Sequence, residues 1–369
     1  MKPIKIAFRV DASDLIGSGH VMRCLALAEE LRYYGASILF VSRELAGNLC
    51  GIIERNNFQV YRLPYVRVDT DKQNGKTDYQ CWLGVFWEVD AEQTREILKN
   101  EFGVIDWLII DHYALDERWE NFLRSCAKKI MVIDDLADRA HNCDLLLDQN
   151  FYKNANSRYT GLIPISCQKL LGPWYSLLRR EFFLARKRLR KRSDIIKRIF
   201  VFFGGLDQTN ETEKTIKAIY LLNRSDILVD VVVGQTNQNK EKYKQLCKEI
   251  ACINYSCQVN NMAEMMANAD IAVGAGGITT WERCCLGLPS LVITGVDNQI
   301  QPLRELADSN VLHFMGTGND ISANDIAGEL QHFFINPDYL VHYSSRSMEL
   351  VDGLGANRCS QALLSVYKI

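Results

Sequence analysis

Short apolar runs alternate with amphipathic helical stretches along the whole chain, and this restricts the fold to a parallel-sheet α/β class. The first unit sets the pattern. Ile4, Ile6, Phe8 and Val10 alternate with Lys5, Ala7 and Arg9, a strand pattern. A helix is predicted from about His20 to Tyr34, with Cys24, Leu27, Ala28 and Leu31 on one stripe and Gly35 placed to end it. Ser37 to Ser42 reads as a second strand, Cys50 to Asn57 as a helix and Phe58 to Leu63 as a third strand. A polar, irregular stretch at 64–84 reads as a mobile surface loop. The alternation then resumes with a helix near Glu88–Asn100, a strand at Trp107–Ile110, a helix near Glu117–Ala127, and strands at Ile130–Ile133 and Leu145–Leu147.

Those last three strands end in polar clusters: Asp111-His112-Tyr113, Asp134-Asp135 and Asp148-Gln149-Asn150. Ligands of parallel sheets sit at the carboxyl ends of strands. Asp11, Asp111 and Tyr113 are therefore expected to line one crevice with His20.

After Gly172-Pro173-Trp174 a basic helix is expected from Ser176 to Arg192, read as a solvated linker rather than a polyanion site. A second α/β series follows, with strands at Ile199–Phe203, Ile227–Val233, Asp270–Val273 and Pro289–Ile293, and helices at Glu211–Leu222, Asn260–Asn268 and Asn357–Val366. The expected architecture is two Rossmann-type domains facing an interdomain cleft. Their predicted bounds are 1–175, a linker helix at 176–196, and 197–369.

At 369 residues with 47% hydrophobic side chains, two sizeable cores are feasible. The net charge of −2 argues against nucleic acid as a partner. The 12 cysteines include no CxxC pair and read as reduced packing residues of a cytoplasmic protein. No signal-peptide pattern opens the chain and no apolar run suits a membrane span. The absence of heptads favours a monomer.

Two turns carry most of the chemistry. In Gly17-Ser18-Gly19-His20 the glycines, Gly19 among them, free the backbone to meet a ligand. The positive end of the helix dipole favours a neutral His20 imidazole, suited to act as a general base. Arg23, three residues on, would hold an anionic or carbonyl group or oppose a second proton on His20. In Gly274-Ala275-Gly276-Gly277-Ile278-Thr279-Thr280-Trp281-Glu282, a strand, a glycine cluster and a helix N-terminus suit a phosphate. The amides of Gly276, Gly277 and Thr279 would face it, and Glu282 could bind ribose hydroxyls. The competing reading is a capping box, Thr279-x-x-Glu282. Gly204-Gly205 is a second diphosphate candidate, with Gly205 at the turn and Thr209 or Asn210 as cap of the next helix. His20, His112 and His141 are scattered, and Asp134-Asp135 is an adjacent pair rather than a spaced one. No metal and no cofactor are expected.

These motifs, with Leu171-Gly172-Pro173-Trp174-Tyr175-Ser176, Gly204-Gly205-x-Asp207, Asp297-Asn298-Gln299 and Val351-Asp352-Gly353-Leu354-Gly355-Ala356-Asn357-Arg358, run through nearly the whole chain. In that order they resemble the UDP-2,4-diacetamido-2,4,6-trideoxy-β-L-altropyranose hydrolase family of pseudaminic acid biosynthesis. The resemblance implies a GT-B-like fold, similar to the peptidoglycan N-acetylglucosaminyl transferase. It also implies metal-independent, inverting cleavage of a UDP-sugar at the anomeric C–O bond. His20 would activate water, Asn298 would stand beside the sugar or the water, Tyr113 would touch the sugar, and the backbone near Met262 would meet uracil. Alternatives are a GT-B transferase using an acceptor other than water, a non-catalytic nucleotide-sugar binder, and an epimerase of the UDP-GlcNAc type.

Overall fold

The computed structural model describes residues 3–65, 78–192 and 195–366. Most of the predicted 64–84 loop, residues 66–77, lies outside the described residues, and Asp78–Leu83 forms a 3-10 helix.

The first sheet contains β1 (Lys5–Val10), β2 (Ser37–Arg43), β3 (Gln59–Leu63), β4 (Ile105–Asp111), β5 (Ala127–Ile133), β6 (Leu145–Asp148) and β7 (Gln168–Leu171). Their spatial order is β3-β2-β1-β4-β5-β6-β7, and every pair is parallel. The second sheet contains β8 (Arg198–Phe202), β9 (Leu228–Val233), β10 (Ile253–Cys257), β11 (Ile271–Gly274), β12 (Ser290–Thr294) and β13 (His313–Thr317). It runs β10-β9-β8-β11-β12-β13, again parallel throughout. In each sheet the strand order reverses beside the first strand, between β1 and β4 and between β8 and β11. Loops diverge to opposite faces there, opening a crevice at the strand ends.

The period of two sends alternate residues of each strand to opposite faces. Ile6, Phe8, Val10, Ile109 and Leu147 join a core with Leu27 and Leu31 of the helix Gly19–Tyr33. Ala7, Leu108, Ile110, Ile130 and Leu146 face the other way, onto Leu98, Trp119 and Leu123. The second sheet carries its own core, with Val201, Val231, Val273 and Ile293 on the face covered by Ile216, Ile219, Ile326 and Phe333.

The chain divides into two compact units, one running to Leu177 and resuming at Gly355, the other spanning Leu178–Leu354. This differs from the predicted bounds at the end of the chain. The last helix, Gly355–Ser365, belongs to the first unit. Cys359 and Leu363 enter the first core, the Trp107 indole donates to the Leu363 carbonyl at 3.1 Å, and Asn357 donates to Glu30 at 2.8 Å.

The predicted helix 176–192 is also corrected. Only Arg180–Lys187 is helical; Lys187, Arg188 and Lys191 are exposed as a solvated linker requires, but Arg186, Arg190 and Arg192 act as fasteners. Arg186 donates to the carbonyls of Cys285 (2.6 Å), Val351 (3.0 Å) and Met348 (3.1 Å). Arg190 pairs with Asp270 at 2.6 Å, and Arg192 reaches the carbonyls of Ala269 and Gly287. These cations complete carbonyls left open at helix C-termini.

Three strands were not anticipated: β7, β10 and β13. All are sheet edges. An edge strand buries less side chain than a central one, so its apolar pattern is weak, as in Ile253-Asn254-Tyr255-Ser256-Cys257.

Candidate active site

His20 lies in the first turn of the helix that follows β1, and Asp111 is the last residue of β4. The switch point therefore brings them together. His20 Nδ1 lies 2.6 Å from Asp111 Oδ1. Arg23, one helical turn on, grips the same carboxylate through Nε (2.7 Å) and Nη2 (2.7 Å), and its Nη1 reaches Asp135 at 3.1 Å. Burial opposes the Asp111 charge, but Arg23 and then His20 outweigh it and hold the carboxyl well below the usual range. An ionised Asp111 can only accept, so Nδ1–H donates to it and Nε2 is left as the basic nitrogen. The helix N-terminus beneath has no side-chain cap and no acid in its first turn. Arg23 was expected to meet the ligand or oppose a second proton. Arg23 donates to Asp111 and Asp135, which makes it the clamp on the histidine's partner, and its Nη2 lies 3.3 Å from His20 Nδ1, where its charge opposes a second proton on the ring.

Asp11 is buried below this pair. It accepts from Arg9 Nη1 (2.6 Å) and Nη2 (2.8 Å), from the Arg43 amide (2.7 Å) and from the Ser42 hydroxyl (3.3 Å). His112 Nε2 stands 3.3 Å from its other oxygen, while the Ala114 amide donates to Nδ1 of the same ring at 3.1 Å. With its oxygens so occupied and 0% exposed, Asp11 supports the loop from below. Gly19 opens the helix, and the loop before it is tied by Gly17 N to Ser13 O at 2.9 Å.

Three aromatic rings wall the histidine. Tyr113 meets His20 edge-on, with centroids 4.7 Å apart. Trp82 stacks on Tyr113 at 5.4 Å, and Tyr79 meets both edge-on, at 4.9 Å and 5.1 Å. The Tyr113 hydroxyl donates to Asp135. Tyr79 and Trp82 escaped sequence reasoning because the polar stretch before them masked the signal, which is two aromatics three apart in Tyr79-Gln80-Cys81-Trp82. Beside Asp135, burial and then the Asp135 charge push the Asp148 carboxyl up to about 7.

In the second unit the glycine turn lies after β11, at the other switch point. Gly277 is the N-cap of the helix Ile278–Cys285, which has no side-chain cap. The helix thus starts before Thr279, and the capping-box reading is overturned: Glu282 faces Arg179, 3.4 Å away, and not the helix start. Burial raises the Glu282 carboxyl, with Arg179 opposing. Thr279 is buried and its hydroxyl donates to the Gly276 carbonyl at 3.4 Å. Gln299 lies over the turn, so that a Cβ on Gly276 would come 2.5 Å from its Oε1. Asn298 stands next to it, its Oδ1 buried and, among the described residues, without a hydrogen-bond partner. Met262 is buried at the start of its own short helix, Met262–Asn268.

Gly205 follows β8 and packs against Gly234, where an added Cβ would approach the Gly205 Cα to 2.6 Å. The following helix is not capped by Thr209 or Asn210 as expected. Asp207 reaches forward and accepts from the amides of Glu211 (2.8 Å) and Thr212 (3.0 Å). A carboxylate already fills that helix terminus, so of the two glycine turns only Gly274–Gly277 leaves its helix open to an anion. Gly277 has φ 76° and ψ −152°, a region open essentially to glycine alone. Gly277→Ala is expected to cost about 1–3 kcal/mol of stability and to weaken anion binding, read by thermal melts with and without nucleotide.

Among the described residues no group of three or more His, Cys, Asp or Glu side chains is arranged to hold a metal ion. Nor is any helix among them long and apolar enough to cross a membrane.

No family model matches the chain. Over 359 residues, 95% of its length, it is 24% identical to an uncharacterized protein of Methanocaldococcus jannaschii, of which it spans 66%. Over 305 residues, 80% of its length, it is 27% identical to the UDP-2,4-diacetamido-2,4,6-trideoxy-β-L-altropyranose hydrolase of Campylobacter jejuni, covering 93% of that enzyme. Among solved structures it is similar to MurG of Acinetobacter baumannii, with a TM-score of 0.66 and 14% identity over 98% of this chain and 100% of that one. With its two parallel-sheet α/β units, the chain has the GT-B fold.

Proposed function

We propose that the protein hydrolyses a UDP-linked 2,4-diacetamido-2,4,6-trideoxy sugar, UDP-2,4-diacetamido-2,4,6-trideoxy-β-L-altropyranose in the first instance, releasing UDP and the free sugar. The observation that carries this reading is the His20–Asp111 pair. A carboxylate 2.6 Å from Nδ1 leaves Nε2 to take a proton from water. The water oxygen attacks the anomeric carbon, the C–O bond to the diphosphate breaks, and its electron pair leaves on UDP. Asp111 stabilises the imidazolium so formed, and the proton then passes to solvent. One base and one displacement give inversion, without the paired carboxylates that retaining glycosidases use. The glycine turn and open helix terminus would take up the charge growing on the leaving diphosphate. Glu282 would hold ribose and Met262 would lie by the uracil. Asn298, whose buried Oδ1 has no partner among the described residues, would accept from the water or the sugar. Tyr113, Tyr79 and Trp82 would present an apolar wall to the deoxy sugar. The relationship to the Campylobacter enzyme over most of both chains supports this choice of substrate. We take the protein to work as a monomer in the cytoplasm, without a cofactor.

The fold likeness to MurG supports a second reading, transfer to an acceptor other than water. Incubation of the UDP-sugar without acceptor in water enriched in oxygen-18 separates the two. Hydrolysis gives rapid UDP release with label on C1 of the free sugar and none in UDP. Release only upon adding an acceptor would sink the hydrolase reading. A rearranged UDP-sugar would mark an epimerase.

A further inference from the structure

Arg283 is a buried cation that, among the described residues, contacts no carboxylate; the charge of its neighbour Glu282, which is turned to Arg179, reaches it only at a distance. It sits in the helix Ile278–Cys285 with 1% of its surface exposed. Its Nη2 donates to the Ala275 carbonyl at 2.7 Å and to the Thr280 hydroxyl at 3.2 Å, and its Nη1 to the Thr279 hydroxyl at 3.3 Å. A Cβ on Gly274 would stand 3.0 Å from Nη1, so the guanidinium also packs against the start of the turn. Every one of these acceptors is a neutral oxygen of the glycine turn or its helix. Nε has no partner. The adjacent Glu282 carboxylate is directed at Arg179. Among the described residues Arg283 makes no ion pair. The buried arginines of the first unit differ: Arg9, Arg23 and Arg43 each meet a carboxylate within 2.7 Å.

A guanidinium does not give up its proton in the working range, so its charge remains when it is buried. An unpaired buried charge is costly, and a fold that keeps one has a use for it or a partner to come. Burial draws Arg283 down to about 10, which leaves it cationic at neutral pH. Its hydrogen bonds fix the turn from behind, with the uncapped helix terminus at the same place. An anion bound by the free amides would supply the missing negative charge.

We propose that Arg283 is the fixed positive charge that holds the nucleotide diphosphate at the Gly274–Thr280 turn, acting through the turn rather than by contact. This rests on the nucleotide-sugar reading above and assigns within it the residue that balances the phosphate charge. The same charge would stabilise UDP as it departs, so Arg283 is a positioning residue for both binding and turnover.

The test compares UDP with uridine, which lacks the phosphates, in calorimetric titrations of the full chain. The variants are Arg283→Met and Arg283→Lys, each checked for folding by circular dichroism. In Arg283→Met, uridine affinity should stay within about twofold while UDP affinity falls at least about tenfold. Arg283→Lys should bind UDP near the native level at pH 6.5. It should lose about tenfold by pH 9, because a buried lysine gives up its proton far below its usual range. The native protein should show no such loss. If Arg283→Met does not fold, the Arg283→Lys pH series decides. An unchanged UDP-to-uridine ratio in folded Arg283→Met, or a pH-independent one in Arg283→Lys, overturns the proposal. A native protein that binds UDP no better than uridine would sink the nucleotide reading itself, before any variant is considered.

Discussion

Changing Asp111 to Asn lowers kcat by about 100- to 10,000-fold and leaves UDP affinity within about twofold. The argument is one of tautomers. In the native protein an ionised carboxylate lies 2.6 Å from His20 Nδ1 and can only accept, so the ring proton sits on Nδ1. An asparagine in the same place can offer its amide N–H, which moves the ring proton to Nε2, the nitrogen that must accept from water. The imidazolium formed in the step also loses its counter-charge. His20→Asn removes the base outright and should cost as much, and the double variant little more, because the two act as a unit. UDP binding is unaffected because the groups assigned to it lie in the other compact unit. Stopped assays of UDP release and titrations of UDP on the single and double variants measure both. Asp111→Asn with more than about a tenth of native kcat would remove the tautomer argument. A matching loss of UDP affinity would make His20 and Asp111 structural.

How much of this was legible follows from where the information lies. The strand, glycine loop and helix around His20, and the glycine turn before Thr279, are local patterns, and the chain displays them openly. The partnership of His20 with Asp111 is not local. It arises because β1 and β4 are neighbours across a switch point, and a sequence shows only that β4 ends in acid. The role of Arg23 was left open for the same reason, since Asp111 and Asp135, the residues that absorb its donors, come from two other strand ends. Arg186, Arg190 and Arg192 looked like part of a solvated face because charge is ordinarily exposed, yet they bond carbonyls and, for Arg190, the Asp270 carboxylate, which no composition reveals. Asp207 was overlooked as a cap because it stands four residues ahead of Glu211 rather than at the N-cap position.

Arg9→Met should destabilise the protein by about 3–5 kcal/mol, the largest stability effect in the chain, although Arg9 stands away from the proposed chemistry. Arg9 is 0% exposed and bridges two buried acids, Asp11 at 2.6 Å and Asp90 at 2.6 Å. Arg43 also holds Asp90, at 2.7 Å, and the Trp119 indole donates to it at 3.1 Å. Methionine fills a similar volume, so the cost is not a cavity. It is the charge left on Asp11, whose remaining partners are an amide, a hydroxyl and a neutral histidine. Asp11 and Asp90 are held below the usual carboxylate range by Arg9, against burial. For such groups the stabilisation is present above the unfolded-state value of about 4 and is lost as pH falls through the folded-state value. Native stability should therefore decline steadily below about pH 4. In Arg9→Met, Asp11 lacks its cation and its folded-state value rises. The variant should take up a proton near neutral pH on folding and show its greatest deficit at pH 7. The deficit should shrink toward pH 4, where the bare carboxyl is protonated. Urea titrations of both proteins between pH 4 and pH 8 read this directly, and a deficit that does not vary with pH would mean that Arg9 contributes packing alone.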